Sequence, residues 1–551
     1  MKKVMILLLT QCAVLSAQIR PQSSPDSILG HRVQRAADGR LLPWYQPQNP
    51  GAAYAQVAKR ASEFLLNSVP VYDPLGVKMY FITCCFHQER GENGYEIIPE
   101  DWMHNPACLW AGLVQSLILG YRVYSGDASY IPAVREMLDF QLEHGTTPGN
   151  WPWPNVPYAS ADPFVIDYQG ATRWETEGMR GDGLHGIEPD KVGELGAAYL
   201  FYYEVTLEER FLQAALHCAD ALAAHVRDVL PPNQAFVAST TVKSPWPFRV
   251  NARTGAVISE YCSNVIEPIR LFDELVRLRD RLSLSSERTA AYQRARDLAW
   301  HWLFSINGPM KTYIWNAYFE DIADDPDRSN RVQITPLETA RYLIKHPHLD
   351  PDIDKNVPAL IRWVASAFAT EGMDAVKEQT WCYEPMGSHT ARYASLCALW
   401  YERTGDPWYQ DQAERFFNFA TYMCQENGFV SVGPAWPSAW WSDGYGDYIR
   451  HFMEGLAAVP QWAPADQDHL LKSTSIVQSI FYSPKKVAYR TFDDDAADVL
   501  RMTAKPRSVA VGGALLKERR SLDEDGWVWR KLPKGGVLSM RRSAASVEIF
   551  K

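Results

Sequence analysis

The sequence has no excess of positive charge and no glycine-rich phosphate-binding loop. Its 551 residues contain 55 lysines and arginines against 65 acidic residues, which gives a formal net charge of −10. A nucleic-acid-binding surface needs a basic patch, and a nucleotide site of the P-loop or dinucleotide type needs its glycine pattern before a helix. The sequence therefore argues against nucleic-acid and nucleotide partners.

Long apolar runs and metal-binding cysteine patterns are also missing. Beyond the N-terminus, no apolar run is long enough to cross a bilayer. The nine cysteines show no Cys/His spacing of the zinc-binding type, Cys84 and Cys85 are adjacent, and most of the others fall within helical patterns. We therefore predict buried free thiols rather than a disulfide framework, and we predict no bound metal and no cofactor.

The N-terminus has the composition of a secretory signal. Two lysines precede an apolar run, and the small residues Ser16 and Ala17 follow it. Basic, apolar and small residues in this order are typical of a cleaved signal peptide. We therefore expect residues 1–17 to be removed and the mature protein to be secreted or periplasmic, without a transmembrane segment.

Paired helical patterns follow one another between residues 53 and 465. One member of each pair is apolar around most of its circumference and needs burial on all sides, while the other is amphipathic and suits an outer position. About six such pairs predict an (α/α)6 toroid, with a helical solenoid as the alternative. The predicted inner helices are 105–124, 190–206, 263–282, 335–345, 388–404 and 447–459, and the predicted outer helices are 53–67, 128–144, 207–228, 288–305, 354–369 and 407–425.

The two ends of the mature chain have a different texture. Residues 18–52 are rich in Pro, Ser and Gln and are predicted to be extended. Residues 473–551 contain short alternating apolar runs, which predict a small β-sandwich. The domain organisation is therefore a signal peptide, an extended segment, a toroid at 53–465 and a C-terminal β-sandwich.

Polar and aromatic loops precede the predicted inner helices, and the loop 174–190 is the most charged of them. Four glycines let its backbone turn, and its titratable groups outnumber those that a helix start needs. We predict that Asp182, His185 and Glu188 are catalytic and that Trp174 and Arg180 bind substrate. The alternative is that some of these carboxylates form salt bridges at the rim and that Asp190 caps the helix.

Other helix entrances offer further candidates. Glu384 follows aromatic residues, where desolvation would favour its acid form; the alternative is a buried glutamate bonded to a backbone amide. Asp447 and Asn105 are also interpreted as helix caps. The remaining candidates are His389, Asp443 and Tyr445 for catalysis, and Trp102, His104, Asn105, Asn264, Tyr383 and Trp441 for substrate binding.

A six-hairpin ring with a C-terminal β-module resembles the six-hairpin glycosidase superfamily, together with the toroidal polysaccharide lyases and uronyl epimerases. The resemblance is carried by the architecture and by loops such as 440–448, Trp-Trp-Ser-Asp-Gly-Tyr-Gly-Asp-Tyr. It implies an (α/α)6 barrel whose substrate cleft lies where the inner helices begin. It supports the fold more directly than it supports a reaction.

The function expected from this resemblance is carbohydrate chemistry on an oligo- or polysaccharide. Glycoside hydrolysis needs two carboxyl groups, about 5 Å apart for retention or about 6.5 to 9.5 Å apart for inversion. A uronate lyase or C5-epimerase needs instead a base such as Tyr or His and a group that neutralises the substrate carboxylate. We expect a glycoside hydrolase first, a lyase or epimerase on uronate-containing glycans second, and a catalytically silent glycan-binding protein as the alternative of another class.

Overall fold

A computed structural model describes residues 26–91, 94–172, 183–232, 242–316, 330–380, 384–435 and 437–551. The predicted signal peptide lies outside these ranges. The same is true of four predicted site residues, which are Trp174, Arg180, Asp182 and Tyr383.

Six inner helices form a closed ring in the described part of the chain. Each packs against the next, and the last packs against the middle of the first. Proline at the first helical position of two of the ring's helices, at Pro106 and Pro189, fits a site where the backbone N–H has no partner. The inner helices are α2, whose three consecutive segments are Pro106–Leu113, the π-helical Val114–Tyr121 and Arg122–Ser125, then α4 (Pro189–Thr206), α6 (Ile266–Arg277), α8 (Ile334–Lys345), α10 (Gly387–Thr404) and α12 (Tyr448–Ala458).

An outer layer of amphipathic helices covers the ring. Each outer helix packs on one inner helix, so that the apolar face of the outer helix and the outward face of the inner helix form one continuous core. The outer helices are α1 (Pro50–Asn67), α3 (Tyr130–His144), α5 (Glu209–His225), α7 (Ser286–Phe304), α9 (Ile353–Phe368) and α11 (Pro407–Thr421). Short helical turns lie at Met79–Phe81, Pro309–Thr312 and Pro347–Leu349.

A π-helical segment, Trp441–Asp447, leads into α12 and closes the ring beside α2. The closure needs small residues, because a Cβ added to Gly446 would lie 3.3 Å from the Cα of Gly112. The segment follows strand β12 (Ala439–Trp440), which pairs with β7 (Cys85–Gly91). Its position is therefore fixed from both ends, by a sheet before it and by a helix contact beside it.

Twelve strands belong to the helical part of the described chain, and nine strands form the C-terminal domain. The first group is β1 (Ser27–Ile28), β2 (His31–Arg32), β3 (Gln34–Arg35), β4 (Leu41–Leu42), β5 (Val71–Tyr72), β6 (Val77–Lys78), β7 (Cys85–Gly91), β8 (Gly94–Pro99), β9 (Gly186–Ile187), β10 (Arg249–Asn251), β11 (Val257–Ser259) and β12 (Ala439–Trp440). The second group is β13 (His469–Ser473), β14 (Val477–Tyr482), β15 (Lys486–Thr491), β16 (Asp495–Met502), β17 (Ser508–Val511), β18 (Ala514–Leu516), β19 (Gly526–Lys531), β20 (Gly536–Ser543) and β21 (Ser546–Phe550).

The C-terminal strands form two antiparallel sheets, with strand orders β13-β16-β20-β19 and β14-β15-β21-β17-β18. Their inner faces share a separate apolar core that includes Leu500, Met540 and Ile549. The domain is attached to the end of the ring where the inner helices finish: the hydroxyl of Tyr482 donates to the carbonyl of Val123 at 2.7 Å. The predicted (α/α)6 toroid with a C-terminal β-sandwich is therefore confirmed.

The cysteines and helices of the described residues match two further expectations. All seven cysteines in the described ranges are free thiols, and six of these are buried. Among the described helices, none combines the length and the apolar content that crossing a membrane requires. The predicted burial of the cysteine side chains is therefore confirmed for these six residues.

Candidate active site

The inner helices begin at one end of the ring, and His389, Asp443 and Asp447 meet there. In a π-helix, with its i→i+5 hydrogen bonds, residues four apart lie on nearly the same side, so Asp443 and Asp447 face the same space. His389 reaches this space from the first turn of α10. One oxygen of each carboxyl group and one ring nitrogen of His389 all lie within 4.8 Å of one another.

Asp443 has the character of an acid that keeps its proton near neutral pH. Its side chain is 15% exposed, and its Oδ1 lies 3.7 Å from Nε2 of His389. Burial raises the pKa of Asp443 from 3.8 to about 7, the negative charge of Asp447 adds to the shift, and the positive charge of Arg392 opposes it. Asp443 can therefore hold a proton at the pH at which most enzymes work.

Asp447 has the opposite character, although it is only one turn away. Burial alone would raise the pKa of this carboxyl group, but the guanidinium of Arg392, which bonds directly to Asp447, lowers it overall. The Asp447 side chain remains 20% exposed at the site. Two neighbouring carboxyl groups thus have pKa values displaced in opposite directions.

Arg392 is held in place by a buried ionic network along the ring axis. Its Nε lies 3.3 Å from Glu338 of α8, and Glu338 is also 3.1 Å from Arg450 of α12 and 3.3 Å from Arg341. Burial acts to raise the pKa of Glu338, but these arginines hold it well below its usual range. Because every partner is itself packed inside the ring, the network fixes the position of Arg392.

The start of α4 supplies a lysine to the same space, and it explains the predicted residue Glu188. Glu188 is buried and pairs with Lys191 at 2.6 Å and with Arg249 at 2.9 Å. Burial acts to raise its pKa, but these two cations lower it overall. The charge of Lys191 also acts on Asp443. Glu188 is therefore an ion-pair partner that positions Lys191, and the alternative of a salt bridge fits it better than a catalytic role.

Three predicted binding residues lie at the entrances of α2 and α6. Both ring nitrogens of His104 are buried and have no hydrogen-bond partner among the described residues, and burial lowers the pKa of His104 to about 3. Asn105 and Asn264 each have a buried side-chain oxygen without a partner in the described ranges. Asn105 makes no capping hydrogen bond with its side chain, so the interpretation of Asn105 as a side-chain cap is not retained.

Trp102 and Trp440 form an aromatic pair at the rim. Their ring centroids are 6.4 Å apart, the planes are inclined by 21°, and both side chains are partly exposed. A flat, partly exposed aromatic surface of this kind can contact the apolar face of a pyranose. Substrate binding by Trp102 therefore stays a prediction, and Trp440 is added as a second candidate.

Two further predicted catalytic residues, Glu384 and His185, are not part of the cluster of His389, Asp443 and Asp447. Glu384 is partly exposed just before the first turn of α10. His185 lies at a left-handed backbone position with φ 64°, and its ring packs edge-on against Trp151 at 4.7 Å. Burial lowers the pKa of His185, with the charge of Arg253 adding to the effect. The catalytic roles of Glu384 and His185 stay predictions.

Tyr445 and Trp441 lie in the core and not in the cleft, so neither is retained in the candidate site. The hydroxyl of Tyr445 donates to the carbonyl of Gly428 and accepts from the backbone N–H of Val430, both at 3.2 Å. Trp441 is fully buried and stacks on Phe86 with 3.8 Å between ring centroids. Both aromatic side chains hold the π-helical segment in place.

The cluster of His389, Asp443 and Asp447 has ligand atoms of the types that metals accept, but its surroundings do not suit a cation. The guanidinium of Arg392 bonds to both His389 and Asp447, and Lys191 adds a second positive charge. A divalent ion would have to displace or tolerate these charges. We therefore assign no metal to this cluster.

Sequence reasoning does not single out Arg392 or Glu338, and it interprets Asp447 as a helix cap. The signal that could have found them is a repeated pairing on the inner helices. A titratable residue is followed three positions later by an arginine at Glu267 and Arg270, at Glu338 and Arg341, and at His389 and Arg392. Such pairs on helices that must be buried point to an ionic interior rather than to a solvated face.

The ring and its charged entrance define a toroidal (α/α)6 protein, and comparison with solved structures agrees. The chain is similar to cellobiose 2-epimerase from Spirochaeta thermophila, with 12% sequence identity, 75% of this chain and 96% of that chain covered, and a TM-score of 0.51. It is also similar to a D-mannose isomerase, with 10% identity, 74% and 97% covered, and a TM-score of 0.50. No protein-family model matches the sequence, and no curated protein matches it. At these identities the similarities show the fold, and they confirm the predicted (α/α)6 toroid.

Proposed function

We propose that the protein is an exported enzyme that hydrolyses glycosidic bonds of an oligo- or polysaccharide. The observation that carries the proposal is the pair of neighbouring carboxyl groups whose pKa values are displaced in opposite directions. Such a pair divides the roles of acid and base between two otherwise similar side chains. Export rests on the predicted signal peptide alone.

In this proposal Asp443 is the general acid. It gives its proton to the glycosidic oxygen as the bond to the anomeric carbon breaks, and the bonding electron pair stays on that oxygen. Asp447 remains ionised, faces the positive charge that develops on the sugar ring and bonds to the anomeric carbon. Water then cleaves this glycosyl ester, giving its hydroxyl group to the sugar and its proton to Asp443. Oxygens of the two groups lie within 4.8 Å of one another, which is nearer to the spacing of retaining enzymes, about 5 to 5.5 Å, than to that of inverting enzymes.

A second candidate function is epimerisation or isomerisation of a sugar. It is favoured by the two similar toroids, which are described as a cellobiose 2-epimerase and a D-mannose isomerase. This reaction moves a proton from carbon and requires a base at the site rather than a carboxylic acid alone. His389 would be the nearest such group, so the protonation of its ring decides between the two candidates.

The test is an incubation with neutral and uronate-containing glycans in deuterated buffer. We expect new reducing ends, and we expect Asp443→Asn to lower turnover by a factor of about 10²–10⁴. Asp280→Asn is the matched control, because the Asp280 side chain is 90% exposed and lies outside the site.

Three other outcomes would each overturn the proposal of hydrolysis. Growth of ultraviolet absorbance from an unsaturated uronate would indicate a lyase. Deuterium bound to carbon in the recovered sugar, without new reducing ends, would indicate an epimerase or isomerase. Binding without turnover would indicate a silent glycan-binding protein.

A further inference from the structure

We infer that Arg392 fixes His389 in the tautomer that carries its proton on Nε2, so that His389 serves the site as a neutral hydrogen-bond donor toward Asp443. The inference rests on the proposed function only in naming Asp443 as the group that loses a proton. Arg392 is then a positioning residue, because it acts through the ring of His389 rather than on the substrate.

The direction of one hydrogen bond determines the tautomer. Nη1 of Arg392 lies 2.7 Å from Nδ1 of His389, and the two residues are neighbours on one face of α10. A guanidinium has five N–H donors and no acceptor, so Arg392 must donate and Nδ1 must accept. A neutral imidazole that accepts at Nδ1 carries its single proton on Nε2.

The doubly protonated ring is also disfavoured at this position. A proton on Nδ1 would point at the N–H of Arg392, and the positive charges would be about one hydrogen bond apart. Burial holds the pKa of His389 well below its usual range, and the charges of Arg392 and His451 add to this effect. The carboxylate of Asp447 acts in the opposite direction, but it is already bonded to Arg392.

Arg392 cannot easily turn away to release Nδ1. It is 3% exposed, its Nη2 bonds to Asp447, and its Nε lies 3.3 Å from Glu338. Two nitrogens of the planar group thus make hydrogen bonds, and the third lies within ion-pair distance of a buried carboxylate. Because the guanidinium is planar and its donors have fixed directions, the bonds to Asp447 also fix the direction of the N–H that points at His389.

The free end of the imidazole faces two carboxyl groups. Nε2 of His389 lies 3.7 Å from Oδ1 of Asp443 and 3.7 Å from Oε1 of Glu378. These separations exceed a hydrogen bond in the resting structure. When Asp443 transfers its proton to the leaving oxygen, the new carboxylate can approach Nε2–H and accept a charge-assisted hydrogen bond. His389 keeps its own proton throughout this step.

The ring nitrogens can be observed directly in the wild-type protein by NMR with ¹⁵N-labelled histidine. The signals of His389 are identified as those missing from His389→Gln, and His217→Gln, a substitution on the exposed face of α5, is the matched control. We expect Nδ1 of His389 to have the shift of an unprotonated nitrogen and Nε2 that of a protonated one at both pH 5 and pH 8, with only a small change at Nε2 as the neighbouring Asp443 ionises. An Nδ1 that has the shift of a protonated nitrogen at either pH would overturn the inference.

Two variants test the role of Arg392 with the same spectrum. Arg392→Lys keeps a charged donor and should keep the Nε2–H tautomer, whereas Arg392→Met should release Nδ1 and change its shift. Unaltered His389 signals in folded Arg392→Met would contradict the role of Arg392. Should Arg392→Met fail to fold, the wild-type spectrum still decides the tautomer.

The turnover of two variants at His389 tests whether this residue acts as a hydrogen-bond donor or as a base. The amide nitrogen of Gln can occupy the place of Nε2, so His389→Gln should retain turnover within about tenfold of wild type, while His389→Asn should lose about a hundredfold. Equal losses in both variants would contradict the donor role. The outcomes are distinguishable from a failure of the proposed function, because the tautomer is read without substrate.

Discussion

Replacing Asp443 by asparagine is expected to inactivate the site and to stabilise the fold. The pKa of Asp443 is 3.8 in an unstructured chain and about 7 in the protein. A group with a raised pKa binds its proton more tightly in the folded state, so its contribution to stability is largest below pH 3.8 and is lost as the pH rises through 7. At about 1.4 kcal/mol for each pKa unit, ionised Asp443 lowers the free energy of unfolding by up to about 4 kcal/mol at pH 8.

Asparagine has nearly the same shape and no charge, so it avoids this cost. We expect Asp443→Asn to raise the free energy of unfolding by about 2–4 kcal/mol at pH 8 and by only about 1–2 kcal/mol at pH 5. Urea unfolding of both proteins at the two pH values measures the difference, and turnover is measured on the same samples. Asp447→Asn is the control of opposite sign, because it leaves the buried Arg392 without its carboxylate and should destabilise the fold.

Two unfolding results would contradict a raised pKa at Asp443. If Asp443→Asn is no more stable than wild type at pH 8, or if its gain is the same at pH 5 and pH 8, then Asp443 is not a carboxyl group with a raised pKa. A stabilised Asp443→Asn variant with unchanged turnover would agree with the raised pKa of Asp443 but would contradict its role as the general acid. The free energies of unfolding at pH 5 and pH 8 therefore test the pKa of Asp443, and the turnover tests its catalytic role.

Four further substitutions distinguish core residues from site residues by urea unfolding and steady-state kinetics. Tyr445→Phe should leave turnover within twofold of wild type but lower stability by about 1–3 kcal/mol, because a buried backbone N–H loses its acceptor; a loss of turnover at full stability would restore Tyr445 to the site. Trp441→Ala should cost about 3–5 kcal/mol of stability, whereas Trp440→Ala should raise KM about tenfold with little loss of stability; the reverse pattern would exchange their roles. Glu338→Gln should cost about 3–5 kcal/mol, because it leaves several buried arginines without their carboxylate, and a neutral effect would show that the network is dispensable.

Most of the fold could be predicted from helical periodicity, because the paired pattern repeats over four hundred residues. The predicted helix 388–404 differs from the observed Gly387–Thr404 by one residue. The π-helical Trp441–Asp447 and the hairpin β7–β8 were not predictable in this way. Their conformations depend on tertiary contacts, such as the stacking of Trp441 on Phe86, that no local pattern encodes.

The candidate site was predictable only in part, for two physical reasons. An aromatic residue in a polar loop can face either the cleft or the core, and sequence patterns do not distinguish Trp440, which is partly exposed, from the buried Trp441 beside it. A charged residue on a buried helix is equally ambiguous. Asp443 and His389 were identifiable from their positions at helix entrances, but the ionic pairs that set their protonation lie deeper on the same helices.

One residue, Arg392, acts on the protonation of three groups at the site. Its charge lowers the pKa of Asp447, opposes the rise in the pKa of Asp443, and keeps the proton of His389 away from Nδ1. These effects have a common source, so a substitution at Arg392 must move all three together rather than one at a time. The pKa separation between the two carboxyl groups and the tautomer of the histidine are therefore not independent features of the site. Under the proposed function, the ionic network that anchors Arg392 to Glu338 acts on catalysis through Arg392.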